Sequence, residues 1–106
     1  MFSLEGYQVV LADSGQEAVF QVRQNDVDLV LLDLNMPQVD GWEVLRQIRA
    51  MKPSLPVIII TAQAHQMAQA AAAGARALCE KPLDLPYLLD LVAKYATFAP
   101  PHFRRY

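Results

Sequence analysis

The feature of this sequence that most restricts its fold is a set of short apolar runs separated by amphipathic segments. Residues 56–60 read PVIII and residues 28–32 read DLVLL. β-Branched side chains fit a pleated sheet, and a strand that is apolar on both sides must be buried on both faces. Such strands occur in parallel sheets that are covered by helices. The sequence therefore predicts an α/β protein with a parallel sheet.

Helical patterns follow each predicted strand. Strands are predicted at residues 8–12, 28–32, 56–60 and 75–80, and helices at 15–25, 41–52, 63–73 and from 85 onward. Asp40 is the expected N-cap of the second helix, with Glu43 completing a capping box. Gly74 suits the end of the third helix and Asp84 the start of the fourth. Residues 1–97 thus form one (βα)4 domain, and residues 98–106 form a C-terminal tail or linker stub.

Composition narrows the classes of function. The 106 residues are 54% hydrophobic and 19% charged, with a net charge of −2, which argues against direct nucleic-acid or anionic-membrane binding. No apolar run approaches the roughly 18 residues of a membrane span. Cys79 is the single cysteine and is predicted to be a buried structural thiol, so a reducing cytoplasm is expected. His65 and His102 have no ligand-like spacing, and no zinc site is predicted.

Polar side chains stand where three successive strands end. Asp33 follows the second strand, Thr61 the third and Lys81 the fourth. Each alone has a structural explanation as a turn residue, a helix cap or a solvated charge. Ligands bind beyond the carboxyl ends of parallel strands, which lie about 4.8 Å apart. A carboxylate can form an acyl phosphate, and a hydroxyl and an ammonium can hold its oxygens, so together they predict phosphoryl chemistry.

The stretches DLVLLDLNMPQVDGWEVLRQIR, LPVIIITA and AAAGARALCEKPLDLPYLLDLV resemble the receiver domain of two-component response regulators. The resemblance implies a flavodoxin-like three-layer fold, with five parallel strands in the order 2-1-3-4-5. It implies that Asp33 is the phosphoacceptor, Thr61 the phosphate-sensing hydroxyl, and Lys81 the family lysine, with a cis bond to Pro82. It also implies Mg²⁺ bound by Asp33 and the backbone carbonyl of Asn35. The phosphodonor would be a histidine kinase or a phosphotransfer protein.

The start of the chain departs from this pattern. The family begins with a central strand that ends in two acidic residues, which hold the magnesium ion, whereas residues 1–7 match the end of the family's first helix. The chain is therefore expected to lack the first strand and most of the first helix. Losing even about 2 kcal/mol for each carboxylate lowers metal affinity roughly a thousandfold, so weak or absent Mg²⁺ binding is expected. Asp13 is not expected to replace the pair.

A missing central strand has structural consequences. Either the strand at 8–12 pairs directly with that at 28–32, or a second chain fills the gap. In both arrangements the last helix alone covers one face of the sheet, so part of that apolar face is exposed. An exposed apolar face favours association. A homodimer or a swapped assembly is therefore predicted. The residues expected near its interface are Leu85, Leu88, Leu89, Val92 and Tyr95.

Two functions remain open from the sequence. One is a signalling module that is phosphorylated on Asp33, which the presence of Thr61 and Lys81 favours. The other is a degenerate receiver that acts as an interaction or dimerisation module without phosphorylation, which the missing acidic pair favours. Receivers also commonly carry an aromatic switch residue where this chain has Leu78. A phosphohydrolase would need a second aspartate at Asn35, so the protein is not expected to be an enzyme.

Overall fold

The structure is a computed structural model that describes residues 2–4, 6–12, 15–35, 40–63 and 65–96. Its elements alternate between strands and helices after an initial hairpin. In chain order they are β1 (Phe2–Leu4), β2 (Tyr7–Ala12), α1 (Gly15–Gln24), β3 (Leu29–Asp33), α2 (Gly41–Met51), β4 (Val57–Thr61), α3 (Met67–Ala72), β5 (Ala77–Glu80) and α4 (Leu85–Ala96). Within the described ranges, no helix is long and apolar enough to cross a membrane.

The strands form one sheet in the order β1-β2-β3-β4-β5. The four strands from β2 to β5 are parallel, and β1 is an antiparallel edge strand. The predicted (βα)4 arrangement is therefore confirmed. The predicted tail at 98–106 and the domain boundary beside it lie outside the described residues.

The start of the chain differs from the expectation. Residues 2–4 are a strand that pairs with β2 around Gly6, whose φ is +83°, and not the end of a helix. β1 satisfies backbone groups along the outer edge of β2, which would otherwise be open. β2 pairs directly with β3, from Val9 opposite Leu29 to Ala12 opposite Leu32. Of the two arrangements predicted for a missing central strand, this is the first. The order 2-1-3-4-5 is not found in the described part of the chain.

The third helix is shorter than its alanine-rich sequence predicts. It begins at Met67, four residues later than expected. The backbone N–H of Gln63 is bound by the Thr61 hydroxyl at 3.0 Å, and His65 has a left-handed φ of 64°, so the preceding residues form a loop. Side-chain bonds of this kind compete with helical ones. Gly74, with φ +91°, follows the helix as predicted.

The predicted N-cap of α2 is present, but the predicted capping box is not. The Asp40 carboxylate accepts a hydrogen bond from the backbone N–H of Trp42 at 3.0 Å, so Asp40 is the N-cap. The capping box does not form, because the Glu43 carboxylate binds the Arg46 guanidinium. That contact lowers the pKa of Glu43.

Gly41 allows α2 to start close to the chain that leaves β3. A Cβ atom on Gly41 would lie 2.7 Å from Leu34 Cδ2 and 3.1 Å from Leu34 Cα. Any larger residue would therefore push the Leu34 side chain aside and crowd the backbone directly after Asp33. The close approach fixes the segment that carries the candidate phosphoacceptor.

Alternate residues of the strands face two separate cores. One core lies beneath α1 and α2, with Ala70 from α3. The other lies beneath α4. The first includes Val10, Val30, Leu32, Val57 and Ile59, and the second includes Val9, Leu29, Leu31, Ile58 and Ile60. The three layers that the sequence predicts are thus present, with α4 alone among the described helices on its face.

The α4 face is only partly covered. Leu88 and Val92 are buried against the sheet, so they are not available to a second chain in this structure. Leu11 lies on this face, because it alternates with the buried Val9, yet it is 48% exposed. Leu85 and Tyr87, in the first turn of α4, are also exposed. Exposed apolar side chains are thus present on β2 and in the first turn of α4.

Cys79 is a buried free thiol, as predicted. It lies in β5 and contributes to the core beneath α4. Burial raises the pKa of the thiol, because the thiolate is poorly solvated there.

We therefore predict that Cys79 reacts slowly with iodoacetamide in the folded protein. The folded thiol should need a higher pH than an exposed cysteine, because its raised pKa leaves less thiolate at any given pH. Mass spectrometry after timed alkylation measures this, with the urea-unfolded chain as the reactive control. Rapid labelling of the folded protein at neutral pH would contradict the buried position.

Candidate functional site

The three candidate residues lie at one edge of the sheet, where β3, β4 and β5 end. Asp33 is opposite Ile60, and Thr61 is opposite Glu80. The backbone N–H of Lys81 donates to the carbonyl of Thr61 at 2.7 Å, which continues the ladder past β5. The register of the parallel strands therefore gathers side chains that are 28 and 20 residues apart in the sequence.

Asp33 and Lys81 are in direct contact. Lys81 Nζ lies 2.9 Å from Asp33 Oδ2, and the backbone N–H of Asn35 donates to Asp33 Oδ1 at 2.9 Å. The side chains of Asp33 and Lys81 are 24% and 38% exposed. The carboxylate is thus held in place and remains within reach of a molecule in solution. The ammonium offsets its negative charge, which reduces repulsion of an anionic phosphodonor.

Thr61 ends β4 at the same edge, but the pleat of the sheet directs its side chain toward the opposite face. It alternates with Ile59, in the core beneath α1 and α2, whereas Asp33 alternates with Leu31, in the core beneath α4. Thr61 is 0% exposed. Among the described residues, its side-chain partners are in the following loop and include neither Asp33 nor Lys81. The structure thus joins two of the three candidates and places the third beside them.

The Thr61 hydroxyl makes two hydrogen bonds in this loop. It donates to Gln66 Oε1 at 2.6 Å and accepts from the backbone N–H of Gln63 at 3.0 Å. Gln66 Nε2 in turn donates to Gln63 Oε1 at 3.0 Å. No sequence pattern indicated Gln66, because its partner is set by the path of the loop. Thr61 is not the N-cap of α3, which begins six residues later.

Asn35 connects the two sides of the site. Its side-chain Oδ1 accepts a hydrogen bond from the backbone N–H of Ala62 at 2.9 Å. The residue therefore bonds both to the carboxylate of Asp33 and to the loop that carries the Thr61 partners. The sequence predicted a role for its backbone carbonyl and missed this role of its side chain. An asparagine in a turn after a strand is the signal that was available.

Lys81 is followed by a cis peptide bond to Pro82, the isomer that the resemblance implies. A cleft of about 170 Å³ opens beside Thr61. It is lined by Leu34, Asn35, Asp40, Gly41, Trp42, Thr61, Gln63 and Gln66. The side chains of Asn35, Gln63 and Gln66, which lie near the buried hydroxyl, therefore border this cleft.

The residues expected to hold magnesium supply only part of a site. Mg²⁺ prefers octahedral oxygen ligands and usually takes one or two carboxylates. No group of three or more histidine, cysteine, aspartate or glutamate side chains that could hold a metal occurs in the described ranges. Both oxygens of Asp33 already accept hydrogen bonds. The described residues therefore fit a complete magnesium site poorly, and Asp13 lies outside them.

Residues 1–93 match the model of the response regulator receiver domain. The chain belongs to this family. It is 41% identical over 91 residues to the transcriptional regulatory protein ZraR of Salmonella typhimurium, covering 84% of this chain and 21% of that protein. It is 36% identical over 85 residues to the response regulator SaeR of Staphylococcus aureus, covering 78% of this chain and 37% of that protein. The chain thus spans between a fifth and two fifths of these relatives.

A solved structure shows the same fold. The receiver domain of the Francisella response regulator 1452 superimposes with a TM-score of 0.81 at 21% sequence identity, covering 89% of this chain and 99% of that chain. The receiver domain is thus an α/β flavodoxin-like unit, as predicted. The family match begins at residue 1. These comparisons therefore do not support the prediction that the first strand and most of the first helix are missing.

We predict that the Asp33–Lys81 contact contributes little to folding. Lys81→Met should change the free energy of unfolding by about 1 kcal/mol or less, because both side chains are partly exposed and the pair is screened by solvent. Urea denaturation measures this, with Lys94→Met on α4 as a second lysine substitution. A loss of more than about 2 kcal/mol would show that Lys81 mainly stabilises the fold.

Proposed function

We propose that this receiver domain accepts a phosphoryl group on Asp33 from a histidine kinase or a phosphotransfer protein. The observation that carries the proposal is the contact between the Asp33 carboxylate and the Lys81 ammonium at 2.9 Å, on a partly exposed edge of the sheet. Membership of the receiver family supports the same reading. The domain would act as a signalling module in a longer regulatory protein.

Each side chain has a distinct role in this proposal. An oxygen of Asp33 attacks phosphorus, the bond between phosphorus and the donor's imidazole nitrogen breaks, and the imidazole takes a proton from solvent. The product is an aspartyl phosphate. The Lys81 ammonium moves from the carboxylate to the phosphoryl oxygens, where it meets more negative charge. Thr61 supplies a hydroxyl to the same group once its present partner is released.

Metal binding is proposed to be weak in this chain. One carboxylate and one backbone carbonyl, from Asp33 and Asn35, are too few strong ligands for a tight Mg²⁺ site. Phosphorylation would then depend more on the Lys81 charge.

Phosphorylation is tested by intact-mass spectrometry after incubation with acetyl phosphate and magnesium. We expect the mass of one phosphoryl group to be added, and the addition to be lost in Asp33→Asn. Asp90→Asn, which changes an exposed aspartate of α4, is the matched control and should still be modified. Lys81→Met should slow the reaction about tenfold or more, the effect of losing one charged hydrogen bond. No added mass in a folded sample would contradict the proposal.

A second function is a receiver that works as an interaction module without phosphorylation. Two observations favour it. Among the described residues, no group of three or more histidine, cysteine, aspartate or glutamate side chains could hold a metal ion. Leu11 is 48% exposed although it belongs to a parallel strand, which is normally covered. An unmodified domain that still forms a stable complex would support this function over the first.

A homodimer or a swapped assembly is proposed because apolar side chains on β2 and α4 are exposed. A second copy would cover exposed apolar side chains on β2 and α4, among them Leu11 and Leu85. Of the residues expected at the interface, Leu85 is exposed, and Leu89 and Tyr95 are partly exposed.

We predict a dimer by light scattering at micromolar concentration. The double substitution Leu11→Asp with Leu85→Asp should give a monomer, because each charge would have to be desolvated in the interface. Phe20→Asp is the matched control, since Phe20 is 54% exposed on α1, on the opposite face of the sheet, and should leave the dimer intact. A monodisperse wild-type monomer would contradict the proposal.

A further inference from the structure

The Thr61 hydroxyl has one proton, and that proton is already in a hydrogen bond. It points to Gln66 Oε1 at 2.6 Å. The lone pairs of the same oxygen receive the backbone N–H of Gln63. A hydroxyl can donate only one hydrogen bond, so Thr61 cannot donate to a phosphoryl group while it is bonded to Gln66.

The orientation of the Gln66 amide follows from its other contact. Its Nε2 donates to Gln63 Oε1 at 3.0 Å. The reversed amide would place Gln66 Oε1 against Gln63 Oε1, two acceptors without a proton between them. In the structure Gln66 presents its oxygen to Thr61, and Thr61 is the donor.

Gln66 also connects this contact to α3. Its backbone carbonyl accepts the N–H of Ala70 at 2.9 Å, in the first turn of the helix, and Met67 follows it with a side chain 60% exposed. The side chain of Gln66 is only partly buried, so water can replace Thr61 as a partner of its amide. By contrast, a Thr61 hydroxyl that is 0% exposed must have a protein or phosphoryl acceptor.

We propose that Gln66 is a positioning residue whose side-chain oxygen competes with a phosphoryl group on Asp33 for the single proton of the Thr61 hydroxyl. The inference rests on the proposed phosphorylation of Asp33. When the phosphoryl group takes this hydrogen bond, the Gln66 side chain at the start of α3 is freed.

The test compares the steady-state ratio of phosphorylated to unphosphorylated chain, with acetyl phosphate and magnesium, by intact-mass spectrometry. Gln66→Met keeps the side-chain length and removes the competing acceptor, so the ratio should rise about threefold to tenfold, the effect of one exchanged hydrogen bond. Gln69→Met, an exposed position on the same helix, is the matched control and should leave the ratio unchanged. Equal ratios for the wild type and Gln66→Met would overturn the inference.

A double-substitution cycle separates positioning from a general structural effect. In a Thr61→Val background the hydroxyl is absent, so Gln66→Met should have no further effect on the ratio. A rise of the same size in that background would overturn the inference, because Gln66 would then act by another route.

An independent measurement distinguishes failure of this inference from failure of the proposed function. In the unphosphorylated chain, the Thr61 hydroxyl proton should exchange slowly enough to be seen by NMR, with a contact to the Gln66 side-chain amide. Both signals should be lost in Gln66→Met. If the proton is not protected in the wild type, the inference is wrong even when Asp33 is phosphorylated. If it is protected but no variant is ever phosphorylated, the proposed function fails, and the contact is a structural bond only.

Discussion

The pairing of β3 with β4 is the constraint on which the rest of the structure depends. All five residues of β4 are buried, and the first four of β3 are buried as well. Strands of this kind must be covered on both faces, which requires helices on both sides and leaves no room for polar chemistry along their length. Reactive groups can therefore stand only where the strands end. The position of the candidate site is a consequence of the apolar core.

The same constraint shapes the loop after β4. Thr61 is the last residue of a fully buried strand, so its hydroxyl cannot be satisfied by water. It takes two partners from the next five residues, Gln63 and Gln66, and those bonds compete with helix formation. α3 is short for this reason, although its alanine-rich sequence favours a longer helix. One buried hydroxyl thus sets both the path of the loop and the start of the helix.

Features that depend on local patterns could be predicted from the sequence. The parallel strands, the cap at Asp40, the glycine after α3 and the burial of Cys79 each follow from residue type and spacing. Features that depend on partners far apart, or on the path of a loop, could not. These are the hairpin strand β1, the bond from Ala62 to Asn35 and the amide of Gln66. The three candidate residues lie at one edge of the sheet, as their positions at the strand ends predict, whereas the different directions of the Thr61 and Asp33 side chains follow from the pleat of the sheet.

The different directions of the Thr61 and Asp33 side chains have a consequence for how a signal would cross the domain. Asp33 and Lys81 face the α4 layer, whereas Thr61 faces the layer of α1 and α2. Leu78, where an aromatic switch would stand, is buried among the residues of the second of these layers. A change at Asp33 must therefore pass around the sheet edge, and the polar groups that reach around it are those of Asn35 and the loop at 62–66. Asp33 is partly exposed whereas Thr61 is buried, and the structure links them through the hydrogen bonds of Asn35 instead of through a shared apolar core.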